Sequence, residues 1–328
     1  MSHKFRSLCL GVFVVHLCGS RAAIAAPFGN PSIGSKPYGV LLLAQDGGGA
    51  WKTELGAIRA QLRGVAVESV ESAAGGVAIQ RALDRLRAQR VDKIVAVPLE
   101  IVSESPVMDE IRYLFGIRAE PTEDRPDRAR SGMPPLRPEN KRALILPSNK
   151  RPKRLKTDAE LVLTATIDQS AFLVEILTER ARVQSRRPEK EAVVLAGLAP
   201  RSDKELPAWK TAVAAIAEAV RAKGGFREAG IVWVRDGVRS GQQDKDRAEN
   251  QAMLRRLVTQ GEVVAVPLAP DGRWIGRLLT RQLGGGVRYR WNGKGLVGDK
   301  RLALWVQTTS EAASKLPDVR QYRDGGLR

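Results

Sequence analysis

Four acidic residues are the side chains of this sequence best placed to do chemistry. Asp46 and Glu71 each follow a predicted strand, and Glu100 and Glu104 follow a third. Because the carboxyl ends of parallel strands meet at one edge of a sheet, we expect these carboxylates near that edge. Such a cluster can bind a divalent metal, or accept protons if crowding raises a pKa. Alternatively these acids cap helices or face solvent, and Asp46 could cap the next helix.

The first 25 residues have the pattern of a secretory signal peptide. Lys4 and Arg6 form a positive region, residues 8–17 form an apolar run, and an Ala-Ile-Ala cleavage site ends at Ala25. The apolar run is short for a transmembrane span, and no later stretch predicts one. We therefore expect a secreted or periplasmic protein that is cleaved after Ala25.

Cleavage at this site would remove every cysteine and histidine. Cys9, Cys18, His3 and His16 all lie in the leader. Disulfides, thiolate or imidazole catalysis and His/Cys metal sites are then excluded. Any metal would be held by carboxylates, amides and water.

The charge balance of the chain favours anionic partners. Loss of Lys4, Arg6 and Arg21, with no acid, lowers the formal net charge from +18 to +15. This charge suits nucleic acid, anionic lipid or a polycarboxylate small molecule. Export argues against nucleic acid. The alternative is that all proteins of the source organism are basic.

One buried strand occurs twice in the sequence. Residues 93–100 hold the run Val-Ala-Val-Pro-Leu, which recurs within Val263–Leu268. Consecutive β-branched and apolar residues are typical of a strand buried on both faces, as in parallel sheets. Pro98 and Pro267 end the ladder because proline has no N–H to donate.

The order of predicted elements indicates two similar lobes. We predict strands at 38–44, 65–70, 93–99, 160–167, 192–196, 230–235, 263–268 and 287–291. We predict helices at 50–63, 77–89, 105–115, 170–183, 207–223, 243–259, 273–283 and 299–310. This alternation predicts an α/β fold of two doubly wound parallel-sheet lobes, related by internal duplication. After a flexible lead-in (26–37), lobe one spans 38–186, lobe two spans 191–312, and a frayed tail follows (313–328).

Short motifs repeat between the lobes as well. An Ala-Trp-Lys-Thr sequence lies near the start of each first helix, at residues 50–53 and 208–211. The pairs Ile167/Leu173 and Leu296/Leu302 have the same spacing. We predict that the four tryptophans at helical positions belong to the core rather than to a cofactor platform: Trp51, Trp209, Trp274 and Trp305.

Residues 118–157 interrupt this pattern. They contain twelve Lys/Arg, five acids and seven prolines. We interpret them as a basic, poorly ordered insertion, with a possible short strand at 143–146. The functional interpretation is contact with an anionic surface or ligand, and the alternative is a solvated loop.

Glycine-rich and polar turns supply candidate ligand contacts. Gly47 and Gly48 begin a turn whose N–H groups could hold a phosphate or carboxylate, although the spacing of a nucleotide-binding loop is missing. Arg201 occupies the equivalent turn of lobe two and could pair with a ligand carboxylate. Ser103 is a further candidate for ligand binding. No His or Lys is placed to make it a nucleophile.

The glycine turn, the run Ala82–Leu86 and the Val-Pro-Leu strand ending resemble the sirohydrochlorin cobaltochelatases, which are class II tetrapyrrole chelatases. The resemblance covers roughly residues 38–310. It implies insertion of a divalent metal such as cobalt, nickel or iron into a tetrapyrrole. Family members carry one histidine after strand one and another after strand three. Asp46 and Pro106 stand at those positions here, and Glu71, with Glu68 as a competitor, resembles a family acid.

The missing histidines lead to three hypotheses. The first is a divergent chelatase-like protein that binds a tetrapyrrole or metal between the lobes without His-dependent insertion. In it Asp46, Glu71 and Glu104 are the catalytic candidates, and Asp46, Glu100 and Glu104 the metal candidates. The second is an active carboxylate-dependent cobalt or iron chelatase. The third is an exported interaction protein that acts through residues 118–157.

Overall fold

Two parallel sheets of four strands form the framework of the protein. The computed structural model describes residues 37–44, 50–71, 75–121, 153–200, 205–235, 241–283 and 288–321. The strands are β1 (Tyr38–Leu43), β2 (Ala66–Val70), β3 (Lys93–Pro98), β4 (Glu160–Leu163), β5 (Glu191–Leu198), β6 (Glu228–Val234), β7 (Glu262–Leu268) and β8 (Arg290–Trp291). The helices are α1 (Ala50–Gln61), α2 (Gly76–Ala88), α3 (Pro106–Leu114), α4 (Ala171–Arg182), α5 (Leu206–Gly224), α6 (Gly241–Gln260), α7 (Gly272–Leu283) and α8 (Lys300–Ala313).

The two sheets have the same topology, which confirms the predicted fold class. Their strand orders are β2-β1-β3-β4 and β6-β5-β7-β8, and every pair is parallel. The central strands β1, β3, β5 and β7 are almost wholly buried. This burial explains why their sequences are continuous apolar runs rather than alternating ones.

Alternation along each central strand divides the core into three apolar clusters. Val40 and Leu42 of β1 belong to a cluster that also contains Val193 and Leu195 of β5, so both sheets contribute to it. The intervening Leu41 of β1 faces a second cluster, with α2 and α3. A third cluster lies between the other face of β5 and helices α6 and α7. This period of two is that of successive side chains on a strand.

The last helix of each lobe packs against the other lobe. Helix α4 follows the strands of lobe one but contacts α5 and β7, while α8 contacts α1 and β3. Lys93, at the start of β3, donates from Nζ to the carbonyls of Ser314 (2.9 Å) and Leu316 (2.8 Å). A cation at these carbonyls stabilises the end of α8. The exchanged helices join the two lobes through a shared core.

Local signals set the helix starts near the site. The Ser105 hydroxyl accepts the N–H of Met108 (3.2 Å), and Pro106 is the first residue of α3. Serine at the cap and proline at the first position are the preferred residue types. Ser170 begins α4 and Asp299 begins α8 in the same way, by accepting the N–H groups of Phe172 and Arg301. Leu173 and Leu302, predicted as equivalent, are both buried.

Several boundaries differ from those predicted. Strand β4 ends at Leu163, and a 3₁₀ turn at Ile167–Gln169 replaces its predicted end. Strand β8 does not include Arg288 or Tyr289. The predicted strand at 143–146 lies outside the described residues, as do the predicted leader and lead-in up to residue 36.

Two predictions of disorder were wrong over part of their length. Residues 314–321 are not frayed, because Val319 is buried and Arg320 donates to the carbonyls of Thr157 and Ala159 at 2.7 Å each. The ends of the basic insertion are also ordered: Arg154 lies over the ring of Tyr113, 5.4 Å from its centroid.

Candidate functional site

The loop of residues 99–105 carries three of the predicted site residues at the carboxyl end of β3. Strands β1, β3 and β4 are parallel neighbours, so their carboxyl ends lie at one edge of the lobe-one sheet. This edge is where open α/β sheets bind ligands. The loop contains Glu100, Ser103 and Glu104, and its conformation decides what each of them can do.

Glu100 is a buried carboxyl group, and no charged partner lies beside it among the described residues. It is 6% exposed, and its Oε1 has no hydrogen-bond partner in the described part of the chain. Burial raises the pKa of Glu100 from 4.5 to about 7, because the charged form loses its hydration. A carboxyl group with this pKa can accept or donate a proton at neutral pH.

Ser103 is held by an aspartate that the sequence interpretation did not identify. Both its N–H (2.8 Å) and its hydroxyl (2.7 Å) donate to Oδ2 of Asp168. The other carboxylate oxygen of Asp168 accepts the hydroxyl of Thr166, and Arg112 donates to the carbonyl of Ser103 (3.0 Å). The Ser103 hydroxyl is therefore engaged within lobe one, and its assignment to ligand binding stays a prediction. The Thr-x-Asp sequence after β4 is a local signal that could have identified Asp168.

Glu104 lies at the contact between the lobes. Glu104 is exposed, and its backbone carbonyl accepts a hydrogen bond from the indole N–H of Trp209 on α5 (2.6 Å). The ring of Trp209 packs near that of Trp233, with centroids 6.3 Å apart. Trp51 and Trp305 are buried in the core as predicted. Trp209 is half-buried: it packs against the same core cluster and also bridges the lobes.

The remaining predicted site residues are Glu71 and four residues that the structure does not describe. Glu71 is exposed at the end of β2, and its competitor Glu68 pairs with Arg85 (2.8 Å). Asp46, Gly47, Gly48 and Arg201 lie outside the described residues. Among the residues that the structure describes, no group of three or more His, Cys, Asp or Glu could hold a metal ion. The metal set that includes Asp46 stays a prediction.

Backbone hydrogen bonds show which residues of lobe two are equivalent to this site. The N–H of Ile167 donates to the Glu100 carbonyl (3.4 Å), and the N–H of Leu296 donates to that of Ala269 (3.0 Å). Ala269 is therefore the counterpart of Glu100. Lobe two has no carboxyl group at this position.

The residues that follow β2 in lobe one and β6 in lobe two also differ in charge. Ala44 donates to Val70 and Ala199 donates to Val234, both at 2.9 Å, so Arg235 is the counterpart of Glu71. Arg235 is buried, pairs with Asp246 and donates to the Pro200 carbonyl (2.9 Å). The buried acid of lobe two at this edge thus has a cation beside it, whereas Glu100 of lobe one has none among the described residues.

Comparisons with known proteins support the architecture. No family model matches the chain, and no curated protein sequence matches it. SirB from Bacillus subtilis, solved with Fe3+, superimposes with a TM-score of 0.51 at 13% identity, over 86% of this chain and 99% of SirB.

The described fold is similar to that of SirB, and a second solved structure gives a lower score. DR2241 from Deinococcus radiodurans, a multi-domain protein described as structurally similar to chelatases, gives a TM-score of 0.49 at 14% identity. The alignment covers 88% of this chain, which spans only 57% of DR2241. At these identities the likeness extends to the fold alone. No described helix has both the length and the apolar composition needed to cross a membrane.

Proposed function

We propose that this chain is a divergent member of the sirohydrochlorin cobaltochelatase type that binds a tetrapyrrole between its lobes, with Glu100 as the group that contacts the pyrrole nitrogens. The metal is cargo carried on that ligand. In this proposal the protein acts outside the cytoplasm after loss of residues 1–25, and it does not use the histidine-dependent insertion of its relatives.

The observation that carries the proposal is the buried carboxyl of Glu100, which has no charged partner among the described residues. Burial raises its pKa to about 7, so the protonated and ionised forms are both populated at neutral pH. The ionised form can accept pyrrole N–H groups, which are hydrogen-bond donors. An ordinary exposed carboxylate would be a weaker proton acceptor by roughly two pKa units.

The charge of the chain fits a polycarboxylate ligand. The predicted mature chain carries a formal charge of +15, as counted from the sequence. Basic residues would face the ligand's carboxylates, with Arg201 as the predicted contact in lobe two. Ala269 is the residue of lobe two that is equivalent to Glu100. Because alanine has no carboxyl group, Glu100 would contact the ligand from the lobe-one side only.

A spectrophotometric titration of the purified chain with metal-free sirohydrochlorin tests this proposal. We expect a shift of the ligand's absorption spectrum, and about ten-fold weaker binding for Glu100→Gln, which loses a charge-assisted hydrogen bond. Glu189→Gln, an exposed glutamate between the lobes in sequence, is the matched control and should bind like the original chain. No spectral shift with either the original chain or the control would contradict the proposal.

The pKa of Glu100 also favours a second candidate, an active chelatase that uses carboxylates. Such an enzyme would remove the pyrrole protons with Glu100 and release the metallated product. Addition of cobalt, nickel or ferrous iron to the same titration separates the two. A metallation rate that depends on the protein and is lost in Glu100→Gln supports the enzyme, whereas a bound spectrum without a rate increase supports the binder.

A further inference from the structure

The contact between Trp209 and the lobe-one loop joins two parts of the chain that are far apart in sequence. Indole Nε1 of Trp209 donates to the Glu104 carbonyl at 2.6 Å. Trp233 of β6 is 6% exposed and lies beside the Trp209 ring at an interplanar angle of 58°. Because Trp233 is fixed in the core, lobe two sets the orientation of the indole N–H.

Lobe one holds the same loop from its other side. Asp168 accepts the N–H and the hydroxyl of Ser103, and Arg112 donates to the Ser103 carbonyl. Residues 103 and 104 are therefore fixed by both lobes at once. Glu100 lies in this loop, so movement of the loop would change the exposure of its carboxyl group to water.

The sequence repeat offers an internal comparison for Trp209. Trp51 occupies the same place in the first Ala-Trp-Lys-Thr motif, and it is 3% exposed in the core. Its Nε1 has no hydrogen-bond partner within the described residues. The two tryptophans thus share a motif, but only the N–H of Trp209 bonds to the other lobe.

We propose that Trp209 is a positioning residue, whose indole N–H holds the loop of residues 99–105 in the conformation that keeps the Glu100 carboxyl away from water. The role of Trp209 rests on the proposed function, which assigns Glu100 as the group that contacts the ligand. The geometry itself does not depend on any ligand, because all of its contacts are within the chain.

The test compares Trp209→Phe with the matched control Trp51→Phe, both without ligand. Phenylalanine keeps an aromatic ring and removes the N–H. In Trp209→Phe we expect amide hydrogen exchange across residues 99–105 to rise about five-fold, as for loss of one hydrogen bond. The Glu100 titration midpoint, followed by NMR of the labelled side-chain carboxyl, should fall towards its ordinary value. Trp51→Phe should change neither. Unchanged exchange and titration in Trp209→Phe would overturn the proposal.

A measurement on the unmodified chain keeps the proposal testable if the variant does not fold. The indole N–H signal of Trp209 should be protected from exchange with solvent. An indole proton that exchanges as fast as a free one would overturn the proposal. If these results hold while sirohydrochlorin does not bind, the proposed function alone fails.

Discussion

Strands β3 and β7 are two copies of one element with different residues at their ends. Both contain Val-Ala-Val-Pro with a leucine next in sequence, and both lie between equivalent neighbours in their sheets. The next carbonyl accepts an equivalent amide in each lobe, yet it belongs to Glu100 in one and to Ala269 in the other. The two lobes therefore share their framework but not the candidate chemistry.

A second comparison separates burial from hydrogen bonding. Glu100 and Glu191 are 6% and 2% exposed, so burial alone would raise the pKa of both. Glu191 instead has its pKa lowered to about 2, because Ser185, the N–H groups of Arg187 and Arg186, and Arg290 donate to it. The number of donors, rather than depth, decides the charge state of each glutamate.

The largest change in stability is expected when a carboxyl group is introduced into lobe two at the position equivalent to Glu100. Ala269 is 4% exposed, so Ala269→Glu places both extra volume and a charge in a packed position. We expect a loss of about 4 kcal/mol in the free energy of unfolding at pH 8. Ala269→Gln, which adds the volume without the charge, is the control. Urea unfolding at pH 5 and pH 8 measures both variants, and equal losses at pH 8 would mean that lobe two tolerates the charge.

Glu191→Gln should destabilise the protein by about 3 kcal/mol at pH 7, since the pKa difference from 4.5 to about 2 corresponds to that energy. A lowered pKa contributes stability above pH 4.5, and this is lost as the pH falls towards 2. The gap between the variant and the original chain should therefore narrow with acidification. Glu189→Gln is the exposed control, and a gap that is constant with pH would contradict the assignment.

Glu100→Gln should change the free energy of unfolding in the opposite direction and stabilise the protein. A raised pKa means that the folded chain holds a proton that the unfolded chain releases, so stability is present below pH 4.5 and is lost as the pH rises through about 7. The variant avoids this loss and should be more stable than the original chain by about 3 kcal/mol at pH 8, with little difference at pH 4. Exposed Glu104→Gln should change little. Equal stability of Glu100→Gln and the original chain at pH 8 would show that Glu100 is hydrated.

The smallest effect concerns how each loop is closed. In lobe two the N–H of Val297 donates to the Pro270 carbonyl (3.2 Å), whereas at the equivalent position of lobe one the side chain of Asp168 holds Ser103. Asp168→Asn should cost about 1 kcal/mol, because the neutral amide accepts more weakly. Faster amide exchange at Ser103 with unchanged exchange at Val297 is the expected pattern. Equal exchange at Ser103 in both proteins would contradict it.

Much of the fold could be predicted from residue patterns. The apolar runs located the buried strands, because a parallel strand covered on both faces needs apolar side chains on both. The repeat of Val-Ala-Val-Pro-Leu predicted two similar lobes. The predicted end of β4 was wrong. Thr164 and Thr166 have high strand propensity, but the chain turns there into the 3₁₀ segment at Ile167–Gln169.

The candidate site could be predicted only in part. Position after a strand was enough to identify Glu100, since strand ends set the ligand-binding edge. Its lack of a partner could not be predicted, because that depends on residues distant in sequence. The contacts of Asp168 and Trp209 with the loop were not predicted for the same reason, since each spans 65 residues or more of sequence.

Residue patterns alone predicted the two α/β lobes, the order of their elements along the chain and the candidate acids that follow the lobe-one strands. The folded chain added that α4 and α8 pack against the opposite lobes, that Trp209 contacts Glu104, and that Glu100 is buried with no cation beside it among the described residues. The physical reason is that periodicity and propensity act over a few residues, whereas burial and hydrogen bonding depend on which distant elements meet.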